Sequence, residues 1–186
     1  MTTRTAARRD PELVEVPERL LLMADGRGDP NGSPEYRRAT EALFAVSYAL
    51  RFRLRRELGV DRKVGPLEGL WAIDGGEFSF TERSNWRWTV MIEQADAASP
   101  ELVDAAARAK GVQVPLRLER LREGLAAQVL HVGPFADEPA TIERLHAFID
   151  ARRLRAVGRH HEIYLRDPRR TAPERLRTIL RQPVVA

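Results

Sequence analysis

The stretch His160–Arg166 combines chemically active side chains with the alternation of a β-strand. One face of such a strand would carry His160, Glu162, Tyr164 and Arg166. Same-face neighbours lie about 7 Å apart, so a carboxylate would stand between an imidazole and a phenol. Such a carboxylate can act as a general base, attract a ligand cation, or form an ion pair on a solvated face. The strand alone favours the ion pair, because the chain is rich in arginine.

A second candidate cluster consists of the three tryptophans of the chain, Trp71, Trp86 and Trp88. Alternation over residues 85–94 places Trp86 and Trp88 on one strand face and Met91 on the other. Crowded aromatic rings form either a core or the wall of a pocket for a flat or cationic ligand. The residues alone leave both interpretations open. Tyr48, on the first predicted helix, is expected to lie in the hydrophobic core and not in a site.

The sequence predicts no metal and no cofactor. His160 and His161 are strand neighbours, so their side chains point in opposite directions. The chain has no cysteine, no H-E-x-x-H motif and no G-x-S-x-G motif. The glycines between residues 26 and 32 predict a turn and do not match a nucleotide-binding fingerprint.

Periodicity and capping residues predict the elements that must position these side chains. Ser33-Pro34 and Ser99-Pro100 are typical helix starts. A polar loop around Gly75-Gly76 is expected between the second and third strands, and residues 112–123 remain undefined. The predicted strands are 19–25, 67–74, 86–94, 124–132, 157–166 and 177–184, and the predicted helices are 34–57, 99–111 and 139–153.

The order β-α-β-β occurs twice, with Pro34 and Pro139 at matching places. The repeat predicts an α/β (α+β) fold of two β-α-β-β modules in a pseudo-twofold arrangement. Antiparallel sheets would surround a central ligand cleft, with helices packed on one side. We expect a flexible tail over residues 1–12 and a single domain over 13–186. Its halves would cover about 13–98 and 124–186, joined by a connector over about 99–123.

Composition narrows the class of protein. The 186 residues carry a net charge of +4, but the only lysines are Lys63 and Lys110, and the arginines are interspersed with 27 acids. This distribution argues against a nucleic-acid-binding stripe. No apolar run approaches the roughly 20 residues of a membrane helix, and no secretory signal is visible. We therefore expect a cytoplasmic protein that binds neither nucleic acid nor membrane.

Several stretches together resemble the GyrI-like small-molecule-binding domain family, specifically its stand-alone bacterial branch. They are residues 23–30, 66–71, 86–92, 130–135, 138–142, 160–168 and 171–174, and they span most of the chain. The resemblance implies the two-module fold described above. Relatives include drug-sensing domains of transcription regulators, a DNA-gyrase inhibitor and hydrolases that open cyclopropane rings of DNA-alkylating natural products.

The resemblance also assigns site residues. Glu162 corresponds to the family's cleft glutamate, with Tyr164 beside it, and Trp71 and Trp88 correspond to the aromatic wall. Glu68, Met91 and His160 complete the set of candidate ligand contacts, although Glu68 could equally cap a turn. Relatives commonly have a second tryptophan where this chain has Ala72.

Three functions follow as expectations. The first is binding of a hydrophobic, aromatic or cationic small molecule for xenobiotic or toxin sensing or detoxification. The alternative is a hydrolase of cyclopropanoid compounds, with Glu162 as general base and Tyr164 or a histidine as donor. The third is a regulator that binds a protein partner, for which the sequence specifies no surface.

Overall fold

The computed structural model describes residues 7–74 and 83–186, so the expected Gly75-Gly76 loop lies outside the described residues. The chain divides into two compact units. One is Arg19–Leu121, and the other is Arg122–Ala186 together with the segment before Arg19. In chain order, the elements are β1 Glu12–Val16, β2 Arg19–Arg27, α1 Pro34–Leu58, β3 Leu67–Ile73, β4 Trp86–Glu93, α2 Pro100–Ala109, β5 Arg117–Leu121, β6 Gly124–Val132, α3 Glu138–Ala151, β7 Arg155–Ala156, β8 His160–Tyr164 and β9 Arg177–Val185.

The unit Arg19–Leu121 is an antiparallel sheet in the order β3-β4-β2-β5, with α1 and α2 on one side. Helix α1 begins where the sequence predicts, because the Ser33 hydroxyl accepts the backbone N–H of Tyr36 at 3.2 Å and Pro34 occupies the first turn. It ends at Gly59, which adopts the left-handed conformation with φ of 69°.

The two faces of this sheet have different neighbours. Trp88 faces α1, since Tyr36 of that helix contacts its ring. Strand alternation places Met91 on the opposite face, where it packs with Leu21, Met23 and Leu70. Both faces therefore carry buried apolar side chains, as the long apolar run of β2 predicts.

The other unit is an antiparallel sheet in the order β1-β6-β9-β8, with β7 paired to the end of β9. Leu145 and Ile149 of α3 pack on Leu180 of β9. Directly opposed residues of antiparallel strands point to the same face. Because Glu162 lies opposite Leu180, its side chain points to the face that α3 covers.

The predicted fold class is confirmed. The protein is α+β, each unit contains β-α-β-β in sequence, the strand pairings within each unit are antiparallel, and the helices of each unit lie on one side of its sheet. The central cleft between the modules stays a prediction from the repeat and the resemblance.

Local differences from the sequence predictions have simple causes. Strand β2 continues through Gly26 to Arg27, because that segment pairs with β4 instead of turning. Strand β5 fills part of the undefined connector by pairing with β2. The assignment of Tyr48 to the core is wrong, because its side chain is 47% exposed.

Among the described residues, no helix has both the length and the apolar character needed to cross a membrane.

Candidate functional site

The carboxylate and phenol of β8 form a hydrogen-bonded pair. The Tyr164 hydroxyl donates to Glu162 Oε2 at 2.7 Å, and the Glu162 side chain is only 14% exposed. Alternation along β8 brings the two onto one face, as predicted. The phenol thereby holds the carboxylate in one orientation and stabilises its charged form.

His160 stands beside this pair on the same face. Its Nε2 lies 3.6 Å from Glu162 Oε1 and has no hydrogen-bond partner among the described residues. Burial, together with the smaller effects of the nearby His161 and His146, lowers the pKa of His160 to about 3. His160 is therefore neutral near pH 7, so it offers hydrogen bonding without neutralising Glu162.

Two further residues lie beside Tyr164. The ring of Phe135 meets the Tyr164 ring edge-on, with centroids 5.8 Å apart. Thr178 lies opposite Tyr164 in the strand pairing, and its buried hydroxyl has no partner among the described residues. Neither residue is among the site residues predicted from the sequence. The Gly-Pro-Phe turn before α3 could have indicated Phe135 from the sequence, because this turn places the Phe135 ring at the end of β6.

The second candidate cluster is aromatic and lies in the other unit. Trp71 and Trp88 are directly opposed on β3 and β4 and are 8% and 1% exposed. Tyr36 stacks on Trp71 with centroids 6.3 Å apart and meets Trp88 edge-on at 5.1 Å. Trp86 packs against Trp71 at 5.4 Å. Tyr36 is not among the site residues predicted from the sequence, but its place in the first turn of α1 brings it onto the tryptophans.

This cluster contains polar groups that lack partners. The indole N–H groups of Trp71 and Trp88 are both buried, and neither has a hydrogen-bond acceptor in the part of the chain that the structure describes. Buried donors usually have a partner, so such groups call for an explanation. An acceptor on a bound ligand is one explanation with direct functional meaning.

Glu68 and Met91 lie on the opposite sheet face from Trp71 and Trp88. Glu68 is 1% exposed and accepts a hydrogen bond from Arg19 at 2.8 Å. Arg19 is in turn 3.8 Å from Glu93. The structure thus gives Glu68 a buried ion pair and does not bring it onto the face of the tryptophans.

Ala72 shares the face of Glu68, because it is the strand neighbour of Trp71. The absence of a second tryptophan there therefore leaves the face of Trp71 and Trp88 unchanged.

A buried polar network lies on the face of β8 opposite Glu162 and Tyr164. His161 Nδ1 is hydrogen-bonded to Glu123 Oε1 at 2.8 Å, and Glu123 Oε2 accepts from Arg181 at 3.0 Å. Arg181 also donates twice to Gln128, at 3.0 and 3.2 Å. All four side chains are almost fully buried. The network joins β6, β8 and β9, so it fixes the strand that presents Glu162 and Tyr164.

The described residues contain no group of three histidine, aspartate or glutamate side chains arranged to hold a metal ion. The cluster on β8 offers a carboxylate, a phenol and a neutral imidazole, which can bind a ligand or exchange protons. The separate cluster in the other unit offers aromatic rings.

Comparison with known proteins now identifies the family. The model of the GyrI-like small-molecule-binding domain matches residues 9–185. The chain belongs to the GyrI-like small-molecule-binding domain family. The resemblance that the sequence motifs carry is thereby confirmed.

Solved structures extend the comparison. An uncharacterised conserved protein from Listeria innocua is 39% identical, with a TM-score of 0.89, over 97% of this chain and 94% of that one. A hydrolase from the same organism is 36% identical, with a TM-score of 0.84 and the same coverage. The C-terminal domain of EcmrR is 12% identical over 95% of this chain and 97% of that one, with a TM-score of 0.57, and shares the fold alone. No curated protein matches the chain.

Proposed function

We propose that this GyrI-like domain binds a hydrophobic aromatic cation and that Glu162 is the charge partner of that ligand. The observation that carries the proposal is the hydrogen bond of 2.7 Å from Tyr164 to Glu162. It holds a largely buried carboxylate in place before any ligand arrives, and preorganised charges bind with less loss of conformational freedom.

The environment of Glu162 selects for the charge of the ligand. The adjacent His160 is neutral near pH 7, because burial lowers its pKa to about 3. An aromatic ring, Phe135, packs on Tyr164. A largely buried carboxylate interacts strongly with a cation, because little water screens it.

We further propose that Trp71 and Trp88 contact the rings of the ligand. Support comes from their mutual packing with Tyr36 and Trp86 and from their buried indole N–H groups. Tryptophan is the aromatic side chain that binds cations best. Xenobiotic sensing or detoxification is the role that such a ligand class suggests.

A matched pair of ligands tests the charge preference. N-methylacridinium and neutral acridine have nearly the same shape and differ in charge. Calorimetric titration of the wild type at pH 7.5 should show preference for the cation. In Glu162→Gln, which keeps an acceptor for Tyr164, that preference should fall by roughly tenfold or more.

The exposed residue Glu174 provides the control, because Glu174→Gln removes the same charge elsewhere. This variant should retain the wild-type preference. Equal loss in both variants, or equal affinity of the wild type for the two acridines, would refute the assignment of Glu162. Trp71→Phe tests the aromatic contact separately, because it keeps a ring and removes the indole N–H.

A second candidate function is hydrolysis of a cyclopropane fused to a conjugated ketone. The hydrolase from Listeria innocua that is 36% identical to this chain favours hydrolysis as a reaction type, and the cyclopropane substrate is what the family resemblance implies. Glu162 would take a proton from water, and the water oxygen would attack the strained carbon. The cyclopropane C–C bond would break, its electron pair would move into the ketone, and the ketone oxygen would gain a proton.

The geometry ranks this function second. In the structure, Tyr164 gives its hydroxyl hydrogen to Glu162, so it must release that bond before it can donate to a ketone oxygen. Product mass after incubation with a cyclopropane-bearing DNA alkylator decides the question. A water-added product that requires wild-type protein and disappears in Glu162→Gln establishes hydrolysis, whereas intact compound in every sample excludes it for that substrate.

A further inference from the structure

The solvent-exposed side of α1 carries an aromatic stripe that no part of the proposed ligand site uses. Tyr48 and Phe52 are 47% and 65% exposed, and Phe44 stacks on Tyr48 with centroids 6.5 Å apart. Exposed aromatic side chains grouped on one face usually mark a binding surface. The stripe is flanked by charged residues, Glu41 on one side and Arg55 on the other, and both are exposed.

These five residues lie on one face of the helix. With 3.6 residues per turn, Phe44 and Phe52 lie about 40° to either side of Tyr48 around the axis, and Glu41 and Arg55 lie about 20° away. The stripe extends roughly 21 Å along the helix. We call Glu41, Phe44, Tyr48, Phe52 and Arg55 the α1 stripe.

The α1 stripe is symmetric about Tyr48 in shape and antisymmetric in charge. Phe44 and Phe52 are four residues before and after Tyr48, while Glu41 and Arg55 are seven residues before and after it. A second α1 placed antiparallel about a twofold axis at Tyr48 would oppose each phenylalanine to the other. It would also oppose each Glu41 to the Arg55 of the second copy.

We propose that the α1 stripe is the interface of a symmetric homodimer. A twofold interface uses the same patch on both subunits, so the patch must complement itself. The charge order of the α1 stripe meets this requirement, and a surface for a different partner would not need it. Glu41 has no ion-pair partner among the described residues, so it can accept one from a second copy.

Arg55 is also compatible with this role. It is 62% exposed and lies 3.7 Å from Asp61, to which Arg51 donates at 3.0 Å. Asp61 therefore keeps a partner when Arg55 turns toward a second copy. The α1 stripe is narrower than a standard interface of about 800 Å² per partner, so we expect a weak dimer that depends on concentration.

Sedimentation velocity from low to several hundred micromolar protein should show the wild type passing from monomer to dimer. Glu41→Arg opposes like charges at both ends of the interface, and so does Arg55→Glu. Each should weaken the dimer by roughly tenfold, given two altered ion pairs per dimer. Circular dichroism checks that the surface substitutions leave the fold intact.

Mixing the two variants supplies the decisive measurement. In a mixed dimer, one chain presents two arginines and the other two glutamates, so both ends are again complementary. We expect the mixture to form a heterodimer more tightly than either variant forms a homodimer. Arg38→Glu, an exposed reversal about 80° around the helix from Tyr48, should leave dimerisation unchanged.

A cysteine cross-link locates the axis independently, because the chain contains no cysteine. Tyr48→Cys should form a disulfide-linked dimer on oxidation much faster than Arg38→Cys. A wild type that stays monomeric throughout, a mixture that fails to recover, or equal cross-linking at both positions would each overturn the proposal.

Discussion

Gly26 is the position where a single methyl group should disturb the aromatic cluster. In β2 it lies directly opposite Trp88, and the indole ring covers it. A Cβ added there would be 2.0 Å from Trp88 Cζ2 and 2.1 Å from Cη2. Glycine inside a strand often marks such a close approach.

The size of the effect follows from the packing around Trp88. Its side chain is 1% exposed and also contacts Tyr36, so the ring has little space into which it can move. Overpacked cores typically lose 1–3 kcal/mol of stability. Because carbon atoms normally stay about 3.5 Å apart, we expect Gly26→Ala to lower the free energy of unfolding by about 3 kcal/mol.

Urea unfolding followed by far-UV circular dichroism measures this change without relying on tryptophan emission. Gly65→Ala is the matched control, because a Cβ at Gly65 meets nothing within 4 Å and its φ is not positive. The control should stay within about 0.5 kcal/mol of the wild type. Emission from Trp88 should change in Gly26→Ala and not in the control.

Two results would contradict this prediction. Both alanine variants could unfold at the same urea concentration with equal slopes, or Gly26→Ala could be destabilised while the tryptophan emission stays that of the wild type. The first result would mean that the ring relaxes without loss, and the second that the strain lies elsewhere.

Three further predictions concern pH, a buried ion pair and a helix cap. The pKa of His160 is lowered to about 3 in the folded protein, so as the pH decreases below about 6.5 the unfolded chain takes up a proton that the folded protein does not, and the stability falls. His160 should contribute a loss of about 2 kcal/mol in the free energy of unfolding between about pH 7.5 and about pH 5. His160→Asn should remove this part of the pH dependence of urea unfolding. Glu68→Gln leaves the buried Arg19 charge with weaker compensation and should lower the free energy of unfolding by about 3 kcal/mol, whereas Arg19→Met with Glu68→Leu should recover most of the loss; a double variant no more stable than the single one would contradict this account. Ser33→Ala removes the N-cap of α1 and should lower the thermal midpoint by an amount equivalent to about 1 kcal/mol, and an unchanged midpoint would show that the cap adds nothing.

Much of the fold follows from local patterns. Helix α1 is bounded by Ser33-Pro34 at its start and Gly59 at its end, and both signals act within a few residues. Strand β6 has the predicted limits, because an apolar run lies between Gly124 and Gly133-Pro134. Strand β5 escaped prediction, since it forms only by pairing with β2 and its own sequence has no clear alternation.

The sequence likewise predicts one part of the candidate site, and only the structure gives the other. Alternation alone places Glu162 and Tyr164 on one strand face, and the structure adds the hydrogen bond that joins them. Alternation also separates Met91 from Trp88, but it does not reveal that Arg19 is the partner of Glu68. Partners that are distant in the chain meet only through strand register.

The sequence by itself determined most of the elements, the repeated β-α-β-β order and the family, because caps, turns, periodicity and motifs are properties of neighbouring residues. Only the tertiary structure decided that Gly26 lies beneath Trp88, that Tyr36 covers the tryptophans and that Tyr48 faces solvent. The physical reason is that packing joins residues of distant segments. Whether an apolar side chain is buried depends on which other element, if any, covers its face.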